Sequence, residues 1–122
     1  MDWRDYLTLA QELSESPDEA EKRSAISRAY YALFNSSREV VDKYAIEVDE
    51  TDPGSHSKIW TALINNGDKT LRFVGTTGSS MKHERVKADY SNPLTIANLP
   101  VSTKTIVRNA KTSMDMLDKG FP

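Results

Sequence analysis

Two polar side chains, Arg28 and Asn35, have the types and the spacing that first suggest chemistry. No proline or glycine interrupts the segment around them, so we expect it to be helical. Seven residues are two helical turns, which places both side chains on one face, about 10 Å apart along the axis. The arginine is permanently charged and its planar guanidinium fits a phosphate group. The asparagine can hydrogen-bond a ligand, but it cannot act as a general base.

Four further residues are candidates for the same surface, either as RNA or nucleotide ligands or as the lining of a dimer cleft: Ser24, Tyr31, His56 and Arg85. The alternative interpretation of each is structural. Arg28 would then pair with an acid such as Asp89, Tyr31 would pack at an interface, and His56 would cap or pack against a helix. The chain has two histidines and no cysteine. We therefore predict no metal site and no cofactor.

The helix that carries Arg28 and Asn35 is predicted to run from about Pro17 to about Tyr44. Ser16 and Glu19 form the pattern of a capping box, and Pro17 suits the first helical position. One stripe of this helix should face the core: Ile26, Ala29, Tyr30, Leu33, Ser37, Val40, Val41 and Tyr44. The opposite face carries Arg28 among the small residues Ser24, Ala25, Ala32 and Ser36. Small side chains on that face predict a second packing partner: another helix, a second copy of the chain, or a ligand.

The other elements that position these residues are also predicted to be helices. They run over about Asp2–Leu13, over His56–Asn65 with Ser55 as the cap, and from a cap at Ser102 to about Lys119. Between Lys69 and Tyr90 the run GTTGSS at 75–80 predicts a flexible break, followed by a helix from about Ser80 to Ala88. This run lacks the lysine and the glycine spacing of a phosphate-binding loop. The acidic segment 46–54 is expected to be a solvated loop.

No segment alternates between apolar and polar residues with the period of a strand. The sequence thus predicts one all-α domain over residues 1–122, an antiparallel up-and-down four-helix bundle with an additional short helix. The formal net charge of −2 gives no overall basis for binding nucleic acid, so any basic patch has to be local. No apolar run is long enough to span a bilayer, and we expect a cytoplasmic protein.

Four short runs occur along the chain in a characteristic order. They are WRDYL at 3–7, RSAISRAYYALF at 23–34, His56 followed by Ile59 and Trp60, and RVKADY at 85–90; Ala110 also fits. Together they resemble the HEPN domain family (higher eukaryotes and prokaryotes nucleotide-binding), in particular its small stand-alone prokaryotic members. The resemblance extends over nearly the whole chain.

The resemblance implies a helical bundle that forms a homodimer, with the polar face of the long helix lining a cleft between the subunits. Many HEPN proteins are metal-independent ribonucleases, often toxins paired with a small nucleotidyltransferase antitoxin. Their motif places a histidine after an arginine, with four to six residues between the two. In this chain the arginine position is Arg28, and the histidine position is Asn35. Cleavage of RNA would therefore need a base from elsewhere, such as His56 or His83.

Three functions follow as hypotheses. The first is a dimeric, catalytically weak HEPN-like protein of a toxin–antitoxin or defence-type system, which binds RNA, a nucleotide or a partner protein through the Arg28–Asn35 face. The second is a metal-independent endoribonuclease toxin that uses Arg28. The third is a protein-interaction or immunity-type subunit with no role in nucleic-acid binding. The RNA target and the partner, which would be a nucleotidyltransferase-type antitoxin or another neighbour-encoded protein, are left open.

Overall fold

Five α-helices form the part of the chain that the computed structural model describes. This part comprises the backbone of residues 2–90 and 99–122, with side chains for residues 2–87 and 103–122. The helices are α1 (Trp3–Ser14), α2 (Glu19–Lys43), α3 (Ser57–Asn65), α4 (Lys69–Tyr90) and α5 (Leu99–Gly120). These two ranges contain no β-strand, which confirms the predicted all-α class.

Helix α2 is the central element, because it packs against each of the other four helices. Its predicted core stripe is confirmed at the residues that are buried: Ile26, Ala29, Tyr30, Leu33, Ser37, Val40 and Val41. The prediction is wrong for Tyr44, which is the C-cap of α2, is 41% exposed and donates a hydrogen bond to the backbone oxygen of Pro122. Ala25 and Ala32, on the face predicted to accept a second partner, are fully buried as well. At these two positions, the second packing partner is therefore another part of the same chain.

The start of α2 differs from the prediction by two residues. The N-cap is Asp18, whose carboxylate accepts a hydrogen bond from the backbone N–H of Glu21 at 3.1 Å. Ser16, the predicted cap, instead accepts a hydrogen bond from the backbone N–H of Asp18. A carboxylate at this position adds a favourable interaction with the helix dipole to the capping hydrogen bond, which favours Asp18 over Ser16.

Two other predicted caps are also wrong. The N-cap of α3 is His56 rather than Ser55, and the His56 side chain makes no capping hydrogen bond. Helix α5 begins at Leu99, so Ser102 lies within the helix rather than before it. Pro100 is tolerated there because the first turn of a helix does not need its N–H groups for internal hydrogen bonds.

The break predicted at residues 75–80 is absent, since α4 is continuous from Lys69 to Tyr90. The glycines serve close packing instead. A Cβ atom on Gly78 would lie 2.3 Å from Cζ3 of Trp60, and one on Gly75 would lie 2.8 Å from the backbone oxygen of Trp60. Both glycines thus let α3 and α4 approach closely, which offsets the helix propensity that each glycine loses, about 1 kcal/mol relative to alanine.

The acidic segment 46–54 contains no helix or strand, as predicted for a loop. Within the described ranges, 2–90 and 99–122, no helix has the length and apolar character needed to cross a membrane.

Candidate functional site

Arg28 and Ser24 lie together on α2, as their spacing predicts. The Arg28 Nε donates a hydrogen bond to the Ser24 Oγ at 3.0 Å, and the guanidinium carbon lies 5.8 Å from the centroid of the Tyr6 ring. No carboxylate among the described side chains forms an ion pair with Arg28. The side chain of Asp89, the predicted partner, is outside the described residues. Arg28 is thus a half-buried cation at the edge between α1 and α2.

Asn35 does not lie on an open surface, contrary to the prediction. Asn35 is 9% exposed, and its Nδ2 donates a hydrogen bond to the backbone oxygen of Tyr31 at 2.8 Å. The side-chain amide therefore bonds the preceding turn of its own helix. In this arrangement Asn35 is largely buried, and its Nδ2 is hydrogen-bonded within α2 itself.

A cluster of aromatic rings surrounds His56 where the loop before α3 meets α2. The imidazole stacks on the Phe34 ring, with centroids 3.9 Å apart and planes inclined by 14°. It meets the edge of Tyr31 at 5.9 Å, and its Nδ1 lies 2.7 Å from the Tyr30 hydroxyl. We call these residues together with Trp60 the His56 cluster: Tyr30, Tyr31, Phe34, His56 and Trp60.

Tyr30 and Trp60 form the buried base of the His56 cluster. The indole Nε1 of Trp60 donates a hydrogen bond to the Tyr30 hydroxyl at 3.1 Å, and the two residues are 2% and 0% exposed. Burial raises the pKa of the Tyr30 hydroxyl, so Tyr30 stays protonated at neutral pH. The prediction that Tyr30 belongs to the core is confirmed, and its hydroxyl also connects that core to His56.

Three cations border the His56 cluster, and we call them the cationic rim: Arg38, Lys82 and Arg85. The guanidinium carbon of Arg85 lies 5.7 Å from the centroid of Tyr30 and 5.6 Å from that of Tyr31. The Arg38 guanidinium carbon lies 5.9 Å from the centroid of Phe34. These positive charges form a local basic patch on a chain of net charge −2.

The pKa of His56 is lowered, first by burial and then by the positive charges of Lys82, Arg85 and Arg38. Burial and like charge both oppose protonation of an imidazole. His56 is therefore neutral at physiological pH. The neutral imidazole adds no further positive charge to the three cations beside it.

The structure brings together three of the residues singled out from the sequence, Tyr31, His56 and Arg85. Sequence reasoning missed Arg38 and Lys82. The spacing held part of this information, because Arg38 follows Tyr31 by seven residues and so lies on the same side of α2. His83 is exposed and borders a groove of about 460 Å³ between α3 and α4, which Lys82 and Lys87 also line.

Among the side chains that the structure describes, no three histidines or carboxylates are placed to hold a metal ion. Comparisons with protein-family models, with curated proteins and with solved structures found no match for this chain. The function proposed below therefore rests on the site itself and on the resemblance of its short motifs.

Stability should depend on the protonation of His56. Its pKa in the folded state lies below the value of 6.5 that applies when it is exposed, so the unfolded chain binds the proton more readily. This contribution to the free energy of unfolding is thus complete above pH 6.5 and declines as the pH falls below it. Urea denaturation at several pH values between 7.5 and 5 should show a steeper decline for the wild type than for His56→Phe. Parallel curves would contradict a lowered pKa.

Proposed function

We propose that this chain is a HEPN-like protein that binds RNA or a nucleotide, through the His56 cluster and its cationic rim. The observation that carries the proposal is the position of Arg38, Lys82 and Arg85 beside the stacked rings of this cluster, of which Tyr31 and His56 are half-buried. Proteins that bind single-stranded nucleic acid combine these same two elements, cations for the phosphates and aromatic rings for the bases.

Each element has a role in this proposal. The cationic rim binds phosphate oxygens, and the half-buried ring of Tyr31 offers a surface on which a base can stack. Arg28 lies one turn before Tyr31 on α2, and residues three apart on a helix are neighbours. Arg28 therefore extends the positive surface towards α1. The proposal gives Asn35 no role in binding, because the residue is only 9% exposed and its Nδ2 is hydrogen-bonded to the backbone of Tyr31.

Binding is favoured over cleavage by the same geometry. Metal-independent cleavage of RNA needs a group that removes the proton of the 2′-hydroxyl and a cation that stabilises the phosphorane-like transition state. The rim supplies cations, but Asn35 supplies no base, and Nδ1 of His56 is engaged with Tyr30. A ribonuclease that uses Arg28 is thus the alternative function, and an interaction subunit with no role in nucleic-acid binding is the third.

We also infer the topology of the bundle, its oligomeric state and its partner from the resemblance to the HEPN family. Contacts link α1 to α2, α2 to α4, α4 to α5 and α5 to α1, and α2 also packs closely against α5 across the group. This arrangement supports an up-and-down four-helix bundle with α3 as the additional short helix. The proposal includes a cytoplasmic homodimer, with a nucleotidyltransferase-type antitoxin or another neighbour-encoded protein as its partner. Gel filtration with light scattering would test the dimer.

The proposal is tested by titrating a fluorescein-labelled single-stranded RNA with the protein and following anisotropy at several salt concentrations. We expect binding, with a slope of log K against log salt of about −2, because three cations would each release about 0.7 of a counterion from a single strand. The RNA should stay intact. Absence of binding at low salt would contradict the proposal, and cleavage that Arg28→Ala abolishes would favour the ribonuclease.

A further inference from the structure

The hydrogen bonds beneath His56 have a direction that the chemistry of the donors fixes. An indole N–H can only donate, so the Tyr30 oxygen accepts from Trp60 at 3.1 Å. The Tyr30 hydroxyl has one hydrogen of its own, and the His56 Nδ1 is the only acceptor within hydrogen-bonding distance among the described residues. Tyr30 is fully buried, so no solvent competes for this hydrogen.

Two arrangements of the hydroxyl are possible, and they differ in cost. If the His56 Nδ1 carried a hydrogen and donated to Tyr30, the Tyr30 hydrogen would be buried without an acceptor, which is unfavourable. If Tyr30 donates to Nδ1 instead, every polar hydrogen in the chain of Trp60, Tyr30 and His56 has an acceptor. The second arrangement is therefore favoured, and Nδ1 is unprotonated.

The charges around His56 act in the same direction. Arg38 from α2 and Lys82 and Arg85 from α4 surround the imidazole, and burial raises the pKa of the Tyr30 hydroxyl beside it, which is therefore uncharged near pH 7. A protonated imidazolium would add a fourth positive charge to this group. The ring is thus neutral with an unprotonated Nδ1, so its single hydrogen is on Nε2. No hydrogen bond joins Nε2 to another residue in the ranges that the structure describes.

We propose that His56 acts as a fixed hydrogen-bond donor, whose Nε2–H binds a phosphate oxygen of the ligand between the cations of the rim, and that Tyr30 is the positioning residue that holds this tautomer. The nature of the ligand rests on the function proposed above. A donor at Nε2 complements an anionic oxygen, as the guanidinium groups of Arg38 and Arg85 do. It also means that His56 does not replace the general base missing at Asn35.

The tautomer can be measured directly by long-range proton–nitrogen NMR on protein labelled with ¹⁵N-histidine at pH 7.5. The chain has two histidines, and the variant His83→Gln assigns the signals. We expect His56 to show a protonated Nε2 and an unprotonated Nδ1, and to show a mixture of tautomers in Tyr30→Phe. A protonated Nδ1 in the wild type would overturn the inference. An unchanged tautomer in Tyr30→Phe would overturn the positioning role.

The donor role is tested with adenosine monophosphate as the probe, by calorimetric titration. His56→Gln keeps an N–H donor without a base, and His56→Phe keeps the stacked ring without a donor. We expect His56→Gln to bind within about threefold of the wild type, and His56→Phe to bind about tenfold more weakly or worse. Equal binding by His56→Phe would overturn the inference and leave the proposed function intact. A wild type with the expected tautomer that binds neither this probe nor RNA would instead overturn the proposed function and, with it, the assignment of the donor to phosphate.

Discussion

Replacing Gly78 with alanine is expected to lower the free energy of unfolding by about 2 kcal/mol, and replacing it with valine by more. The added Cβ would lie 2.3, 2.4 and 2.5 Å from three atoms of the Trp60 ring. These distances are far below van der Waals contact, and Trp60 is 2% exposed, so its ring has little space into which to move. The overpacking outweighs the gain in helix propensity from glycine to alanine, about 1 kcal/mol.

Urea denaturation followed by circular dichroism measures this effect, with Gly120→Ala as the matched control. Gly120 is the last residue of α5, and a Cβ atom there would have no neighbour within 4 Å. The control should therefore be as stable as the wild type, to within about 0.5 kcal/mol. If Gly78→Ala were as stable as Gly120→Ala, the close approach of α3 and α4 would be wrong.

The same substitution should affect the candidate site. The Trp60 ring that would have to shift also donates the hydrogen bond to Tyr30, and Tyr30 in turn contacts His56. The glycines of α4 and the His56 cluster are thus parts of one packed unit. For this reason, ligand binding by Gly78→Ala should weaken even under conditions in which the variant remains folded.

Removing the cationic rim is expected to have the largest effect on function. The triple variant Arg38→Gln, Lys82→Gln and Arg85→Gln should bind single-stranded RNA about 100-fold more weakly at low salt, because each lost phosphate contact removes a charge-assisted hydrogen bond. The salt dependence should nearly disappear along with the affinity. Anisotropy titrations at two or more salt concentrations measure both quantities.

The control for this variant carries the same change in net charge elsewhere on the surface. Arg72, Arg108 and Lys119 are exposed on α4 and α5 and make no ion pair among the described side chains. Their simultaneous replacement by glutamine should leave the affinity within about threefold of the wild type. Equal losses in the two triple variants would indicate that net charge alone drives binding, and would argue against a site at His56.

The parts of the fold that depend on periodicity were predictable from the sequence. The buried stripe of α2, including Tyr30 and Leu33, follows from helical spacing alone. The N-cap of α2 could not be predicted in this way. Ser16 and Asp18 can both cap a helix, and the local backbone conformation decides which of them does so. The glycines of α4 were interpreted as a break because their partner, the Trp60 ring, is known only once α3 and α4 are packed together.

The candidate site was predictable in part, for related reasons. Tyr31, His56 and Arg85 were found through their motifs. Lys82 was not, because only the packing of α4 brings it to His56. Arg38 was missed although its spacing from Tyr31 places it on the same side of α2, because the sequence does not show that His56 packs there. Helical angles placed Asn35 beside Arg28, yet angles do not show which neighbours cover a side chain. For this reason, the prediction that Asn35 lies on an open surface beside Arg28 was wrong.

The central claim is that RNA or a nucleotide binds at the His56 cluster, and chemical-shift mapping tests it most directly. A short single-stranded RNA is added to ¹⁵N-labelled protein, and the side-chain signals of His56, Arg85 and the Trp60 indole are followed, with the backbone of Phe73 on the far part of α4 as reference. We predict that the His56, Arg85 and Trp60 signals shift in a saturable way while the Phe73 signal stays in place. Saturable shifts confined to other surfaces, or no shifts at all, would contradict the claim.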